Sequence, residues 1–209
     1  MKLDDKTIQT LLDVAKSSAT SNGMLTFSII RIKDQNIKDA LAKNGNQEYM
    51  ARLPHLWIFI ADINRNYSIV RENNEENDMM IGFDKFIQAF TDAIISAQNV
   101  VNAAESMGLW TNYFGNIHND TAHIIELLNL PKFTYPVVGL GFGIPNQDPQ
   151  IKPKMSMDIK IFIDKYEVFD NYNELISEYD KEMQTYYDLR DKNRRSDKFS
   201  TQIIKKNQV

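Results

Sequence analysis

The chain contains no cysteine, which excludes disulfides, thiolate catalysis and cysteine-ligated metal sites. It has no excess of basic charge either. The 24 Lys and Arg stand against 28 Asp and Glu, for a net charge of -4, and a general nucleic-acid binder needs the opposite balance. Long hydrophobic runs are also missing, and the longest fall well short of the ~20 apolar residues that cross a bilayer. The opening Met-Lys-Leu-Asp-Asp-Lys is charged and runs straight into an amphipathic pattern, unlike a signal peptide. These features read as a cytoplasmic protein with neither nucleic acid nor membrane as partner. Histidine is scarce: His55, His118 and His123 share no ligand spacing with nearby carboxylates, and the last two lie five apart, off one helical face. No metal site is expected.

What is present suffices for a real core. With 209 residues, 43% hydrophobic and 25% charged, the chain reads as one domain over 1–209. Ile8, Leu11, Leu12 and Ala15 predict a helix over 6–17. Phe27 to Ile32 predicts a strand, and a short helix follows over Asn36 to Ala42, broken by Asn44-Gly45-Asn46. Leu56 to Ile63 puts Trp57, Phe59 and Ala61 on one side and Ile58, Ile60 and Asp62 on the other, the pattern of a central strand. Asp62, Asn64 and Arg65 then form a polar cluster that structural hydrogen bonding explains.

After an acidic loop at Asn73 to Asp78 comes the clearest helix. Ile87, Phe90, Ile94, Ala97, Val101, Ala104 and Gly108 repeat at three and four residues, with Ala93, Val100 and Met107 in a neighbouring row. A face this wide belongs to a core helix or to one shared between subunits, stopped by Gly108. Glu105 reads as a satisfied polar partner. A segment at Thr111 to Asn116, a helix from an N-cap at Asp120 to Leu128, and strands at Tyr135 to Gly143 and Ile159 to Phe162 follow. Leu175, Tyr179, Met183 and Tyr186 mark a late helix, and the basic tail over 190–209 reads as mobile. The irregular order favours an α+β layered fold over a βαβ array.

One stretch stands out, from Val137 to Met155. Glycines at 139, 141 and 143 would let another backbone or a flat ligand approach a strand closely. Pro153 holds Lys152 extended, so Lys152 and Lys154 are presented as a pair suited to a phosphate. A solvated loop is the competing reading of Lys-Pro-Lys taken alone.

Four features, in order, resemble one family. They are Ala19-Thr20-Ser21-Asn22, the pair Gln47-x-Tyr49, the helix from Asp92 to Gly108 leading into Tyr113-Phe-Gly-Asn116, and Gly139-Leu-Gly-Phe-Gly-Ile-Pro145 with Asp148-Pro-x-Ile-Lys-Pro-Lys154. A further match lies at Tyr186 to Arg190 and Asn193 to Ser200. The set looks like the flavin-dependent nitroreductase family, specifically the NADPH-preferring oxygen-insensitive nitroreductases and flavin reductases of bacteria, over nearly the whole chain. The resemblance implies a layered antiparallel or mixed sheet flanked by helices, in a homodimer whose interface includes the long helix and binds FMN. It implies Thr20, Ser21 and Asn22 along the ribityl and phosphate side, Gln47 on the isoalloxazine edge with Tyr49 close by, and Tyr113, Phe114, Gly115 and Asn116 against the ring. Lys152 and Lys154 would meet the FMN phosphate, and Arg190 and Arg194, with Arg195 as neighbour, the phosphates of NADPH. The implied reaction is two-electron reduction of nitroaromatics, quinones or free flavins, carried by the flavin and needing no catalytic side chain.

The sequence departs from the family in two places. Family members usually carry arginine where Lys154 stands, so a point charge replaces a bidentate fork. They also begin about one helix earlier with an Arg-Ser-x-Arg-type motif, and before Thr7 this sequence has only Lys2 and Lys6 as cations. Two readings stay open from the residues: an FMN enzyme, and a non-catalytic member of the fold with weak or no flavin binding.

Overall fold

Helix α1 (Asp5–Lys16) starts where Asp4 accepts the Thr7 N–H at 2.6 Å, a side-chain cap that satisfies one of the open donors of the first turn. Its apolar stripe buries Ile8, Leu11 and Ala15. The computed structural model describes residues 3–75, 82–146, 150–190 and 197–207, apart from the side chains of 187–190. Where the sequence reads as one domain, the chain divides into two compact units, Met1–Asn146 and Gln147–Val209.

In the first unit, β1 (Phe27–Ile32), β2 (His55–Asp62), β3 (Trp110–Phe114) and β4 (Thr134–Gly143) form a sheet in the order β1-β2-β4-β3, antiparallel throughout. The two-faced apolar pattern of β2 places it inside. Trp57, Phe59 and Ala61 pack with Leu140 and Phe142 beneath α1 and α4 (Phe83–Ser106). Leu56, Ile58 and Ile60 pack on the other face with Leu41 of α2 (Gln35–Asn44), Met50 of a 3-10 turn at Glu48–Arg52, and Ile124 of α5 (Thr121–Leu127). Asp120 caps α5 through the His123 N–H, as its sequence predicts. Helix α3 (Asn64–Glu72) follows β2. Beyond it, the acidic loop runs outside the described residues from position 76.

Strand β4 carries an extra residue, Val137, between the partners of Phe59 and Ile60. Pro136, lacking an N–H, sits at this bulge. His118 Nε2 donates to the Val137 carbonyl at 2.8 Å, while Tyr135 donates to Nδ1 at 3.3 Å. The histidine thus repairs an irregular strand.

In this unit the structure divides the apolar face of α4 into a buried and an exposed part, and it corrects the reading of the β4 glycines. The residues of α4 that reach the core are mainly small: Ala89, Asp92, Ala93, Ser96, Ala97, Val100, Val101 and Ala104. Ile87, Ile94 and Met107 are 46%, 39% and 43% exposed, because a helix can lie this close to a sheet only through its short side chains. The glycines of β4 admit side chains of the same chain rather than a flat ligand. A Cβ on Gly141 would meet Leu53 Cδ1 at 2.5 Å and Phe114 Cε2 at 2.9 Å, and one on Gly143 would meet Pro54 Cγ at 2.6 Å.

Gly108 ends α4 as the sequence predicts. Its φ is +76°, its N–H donates to Glu105 and the next N–H, of Leu109, donates to Ala104, both at 3.0 Å. This paired closure requires the left-handed backbone that glycine adopts freely.

The second unit contains α6 (Tyr172–Leu175), α7 (Ser177–Arg190) and α8 (Phe199–Lys206). Ile159 to Phe162 forms turns and irregular backbone instead of the expected strand, with Ile161 60% exposed. The tail is not wholly irregular: α8 lies within it, held where Asp180 accepts from the Ser200 N–H at 3.0 Å and hydroxyl at 2.5 Å. Among the described residues, no helix is long and apolar enough to cross a membrane.

Gly141→Val should cost about 1–3 kcal/mol by overpacking, and Gly108→Ala about 1–2 kcal/mol by forcing a side chain into the left-handed region. Urea unfolding midpoints check both, and wild-type midpoints would refute these roles.

Candidate functional site

Strand β3 is an edge strand, so one of its long sides and much of its outer face stay open. Phe114 is buried, whereas Asn112 on the same face and Tyr113 on the opposite face are exposed. The 3-10 turn after α2 brings Gln47 and Tyr49 alongside. The Tyr49 hydroxyl donates to Gln47 Oε1 at 3.1 Å, Asn112 Nδ2 donates to the Tyr49 oxygen at 3.5 Å, and the Tyr49 ring lies 5.7 Å from that of Phe114. From the other side α4 reaches the same strand. Tyr113 donates to Gln98 Oε1 at 3.3 Å, and Thr111 to Glu105 at 2.5 Å. Burial, and then the negative charge of Glu105, push the Tyr113 phenol up to about 12, so it stays a neutral donor at physiological pH.

Asn116 joins the two loops at the end of this strand. Its Nδ2 donates to the Gly45 carbonyl at 3.1 Å, and Asn44 Nδ2 donates to the Asn116 carbonyl at 3.4 Å. Its Oδ1 is buried with no hydrogen-bond partner among the described residues. At Gly115 a Cβ would meet nothing within 4 Å, so the backbone there faces open space. Gln47, Tyr49 and Asn112 thus form a neutral, hydrogen-bonded cluster on one face of β3 with Phe114 as its apolar support, Asn116 and the open space at Gly115 follow at the strand's end, and Tyr113 lies on the opposite face against Gln98.

Thr20, Ser21 and Asn22 lie on the loop between α1 and β1. The Ser21 N–H donates to Asp92 Oδ1 at 2.7 Å, and Asn22 has a φ of +52°. Lys152 and Lys154 belong to the second unit, where both are exposed on non-helical chain. The Arg190 side chain and all of Arg194 lie outside the described residues. The structure therefore brings together Gln47 and Tyr49 over Phe114, sets Asn116 at the end of the same strand against Gly45, and turns Tyr113 to the opposite face against Gln98. Asn112, Gln98 and Asp92 were missed as site residues. Asn112 had a usable signal, an amide directly before Tyr113. Gln98 and Asp92 had none, because their partners lie across the fold.

The neutral cluster fits the edge of the FMN ring that the family resemblance implies. Amides and phenols match alternating carbonyl and N–H groups without burying charge. The orphaned Asn116 Oδ1 is an acceptor ready for an added donor.

The sheet, the long small-residue helix laid on it and the polar edge strand define a layered α+β fold, and comparison with known proteins is specific. The nitroreductase family model matches residues 41–144, and the model of that family's C-terminal domain matches 152–208. The chain belongs to the nitroreductase family. It is 32% identical over 197 residues to an oxygen-insensitive NADPH nitroreductase of Salmonella typhimurium, covering 93% of this chain and 79% of the relative. It is also 32% identical over 200 residues to an FMN reductase (NADPH) of Bacillus subtilis, covering 94% and 80%. Among solved structures, NfrA1 nitroreductase from B. subtilis superposes with a TM-score of 0.91 at 31% identity, over 98% of this chain and 84% of that one.

Tyr113 gives a pH prediction. Its folded value is raised above the ordinary 10, so its contribution to stability is complete below pH 10 and is lost as pH rises toward about 12. The effect should be modest because the residue is 41% exposed. Tyr113→Phe should remove this component from urea midpoints measured across that range, and an unchanged alkaline profile would contradict it.

Proposed function

We propose that the protein is an FMN-dependent oxidoreductase that uses NADPH for the two-electron reduction of nitroaromatics, quinones or free flavins. The neutral cluster on β3 and the adjoining 3-10 turn, in a chain of this family, is the observation that carries the reading. When bound, FMN supplies the hydride chemistry, taking two electrons from NADPH for delivery to the acceptor. The protein's part is binding and orientation. Gln47 and Asn116 offer amide groups to the ring edge, Tyr49 holds Gln47 in place, and Tyr113 and Gly115 border the open space where a ring would lie. Thr20, Ser21 and Asn22 are assigned to the ribityl and phosphate side. Lys152 and Lys154 are assigned to the FMN phosphate, and Arg190 and Arg194 to the phosphates of NADPH.

The same reading makes the protein a cytoplasmic homodimer. Exposed Ile87, Ile94 and Ile95 on α4 support it, being an apolar face that the first unit leaves uncovered. A flat, largely neutral site discriminates weakly among flat aromatics, which suits a small aromatic electron acceptor of broad identity.

The purified protein, titrated with FMN and then given NADPH without oxygen, should retain a flavin band that bleaches. Lys154→Ala should cost about 1.5 kcal/mol of FMN affinity, roughly a tenfold rise in Kd. No retained flavin, even with FMN in excess, would reject the enzyme and leave a member of the family without its chemistry.

A further inference from the structure

The loop over 20–26 is fixed more firmly than a surface connection needs to be. Asp92 stands in the middle of α4, 1% exposed, and forms no ion pair among the described residues. Its two oxygens serve the two ends of the loop. Oδ1 accepts the Ser21 N–H at 2.7 Å, and Oδ2 accepts the Thr26 hydroxyl at 2.7 Å and the Thr26 N–H at 3.3 Å. A buried carboxylate is tolerable only when such donors replace its water. Between those ends the loop is held from the other side. Arg65 Nη1 donates to the Leu25 carbonyl at 2.8 Å, Asn66 Nδ2 to that of Met24 at 2.9 Å, and the Asp62 N–H to that of Thr26 at 2.9 Å. Leu25 is held at a φ of +54°, a left-handed backbone that leucine avoids and that persists only where its surroundings enforce it.

We propose that Asp92 is a positioning residue for cofactor binding: by bridging Ser21 and Thr26, it presets the loop so that Thr20, Ser21 and Asn22 meet the ribityl and phosphate side of FMN already ordered. The inference rests on the FMN reading above and adds a residue that touches no ligand itself. A preset loop needs no ordering when the ligand arrives, and that difference appears directly in affinity. The same carboxylate ties the loop to the long helix, so a displacement of α4 at position 92 is transmitted to the cofactor side.

The test compares wild type, Asp92→Asn, Thr26→Val and the double variant, with Ser96→Ala as control. Ser96 is buried on the same helix and its hydroxyl donates to the Ala15 carbonyl at 3.4 Å, away from the loop. FMN Kd is read by fluorescence titration, fold stability by thermal midpoint, and loop order by amide hydrogen exchange at Ser21 and Thr26 in flavin-free protein. Asp92→Asn should raise the FMN Kd by about tenfold or more and speed both amides. The double variant should show less than the sum of the single effects, because both act through one bridge. Ser96→Ala should lower the midpoint and leave the FMN Kd unchanged. If Asp92→Asn does not fold, the isosteric Thr26→Val decides: a raised Kd with faster loop exchange supports the role, and a wild-type Kd overturns it. An equal rise in Kd for Ser96→Ala would also overturn it, showing only general destabilisation. A wild type that takes up no FMN rejects the functional reading and this inference together, whereas wild type and loop variants binding FMN equally well reject this inference alone.

Discussion

Strand β2 has no solvent face, and that constraint organises the first unit. Six of its residues, Leu56 to Ala61, are essentially inaccessible, so both sides of the sheet must be covered. On one side the cover is α1 and α4, on the other α2, α5 and the short turn between α2 and β2. Close cover demands short side chains at the contact. This is why α4 turns alanine and serine inward, and why β4 gives up side chains at alternate positions to rings and branched chains from its neighbours. The arrangement is tight where it must be, and the large residues displaced from it go elsewhere.

The candidate site lies where the covering ends. At β3 the sheet presents exposed side chains next to a turn and a helix that both carry amides. The groups gathered there are neutral, so they can lie close together at a partly buried edge without the desolvation cost of charge. Charge is used instead for tethering. Arg65 binds Asp62 at 2.9 Å and also takes the carbonyl of Phe27 at 3.1 Å, which fastens the end of β2 to the beginning of β1.

Much of this was legible in the sequence. The bounds of β1, the central place of β2, the Asp120 cap and the glycine stop of α4 are local signals, and local physics decided them. What was not legible depended on partners. The apolar period of α4 identified a helix, but hydrophobicity ranks isoleucine above alanine, whereas proximity to a sheet ranks them the other way. The β4 glycines signalled close approach without saying by what. Ile159 to Phe162 had strand composition but forms turns and irregular backbone, and α8 was hidden in a basic tail whose anchor, Asp180, lies 20 residues upstream. In the site, Gln47, Tyr49 and the run after Tyr113 were found through the resemblance. The Asp92 bridge could not be, since 71 residues separate it from Ser21.

That separation bears on how the chain emerges during synthesis. Helix α1 docks on α4, and Asn99 reaches back 81 residues to the Ser18 hydroxyl. The apolar stripe of α1 therefore has no cover from α4 until about eighty further residues have left the ribosome, which takes roughly 4–16 s at usual elongation rates. Until then Ile8 and Leu11 lack that partner, so α1, although made before α4, is among the last parts of its unit to be secured.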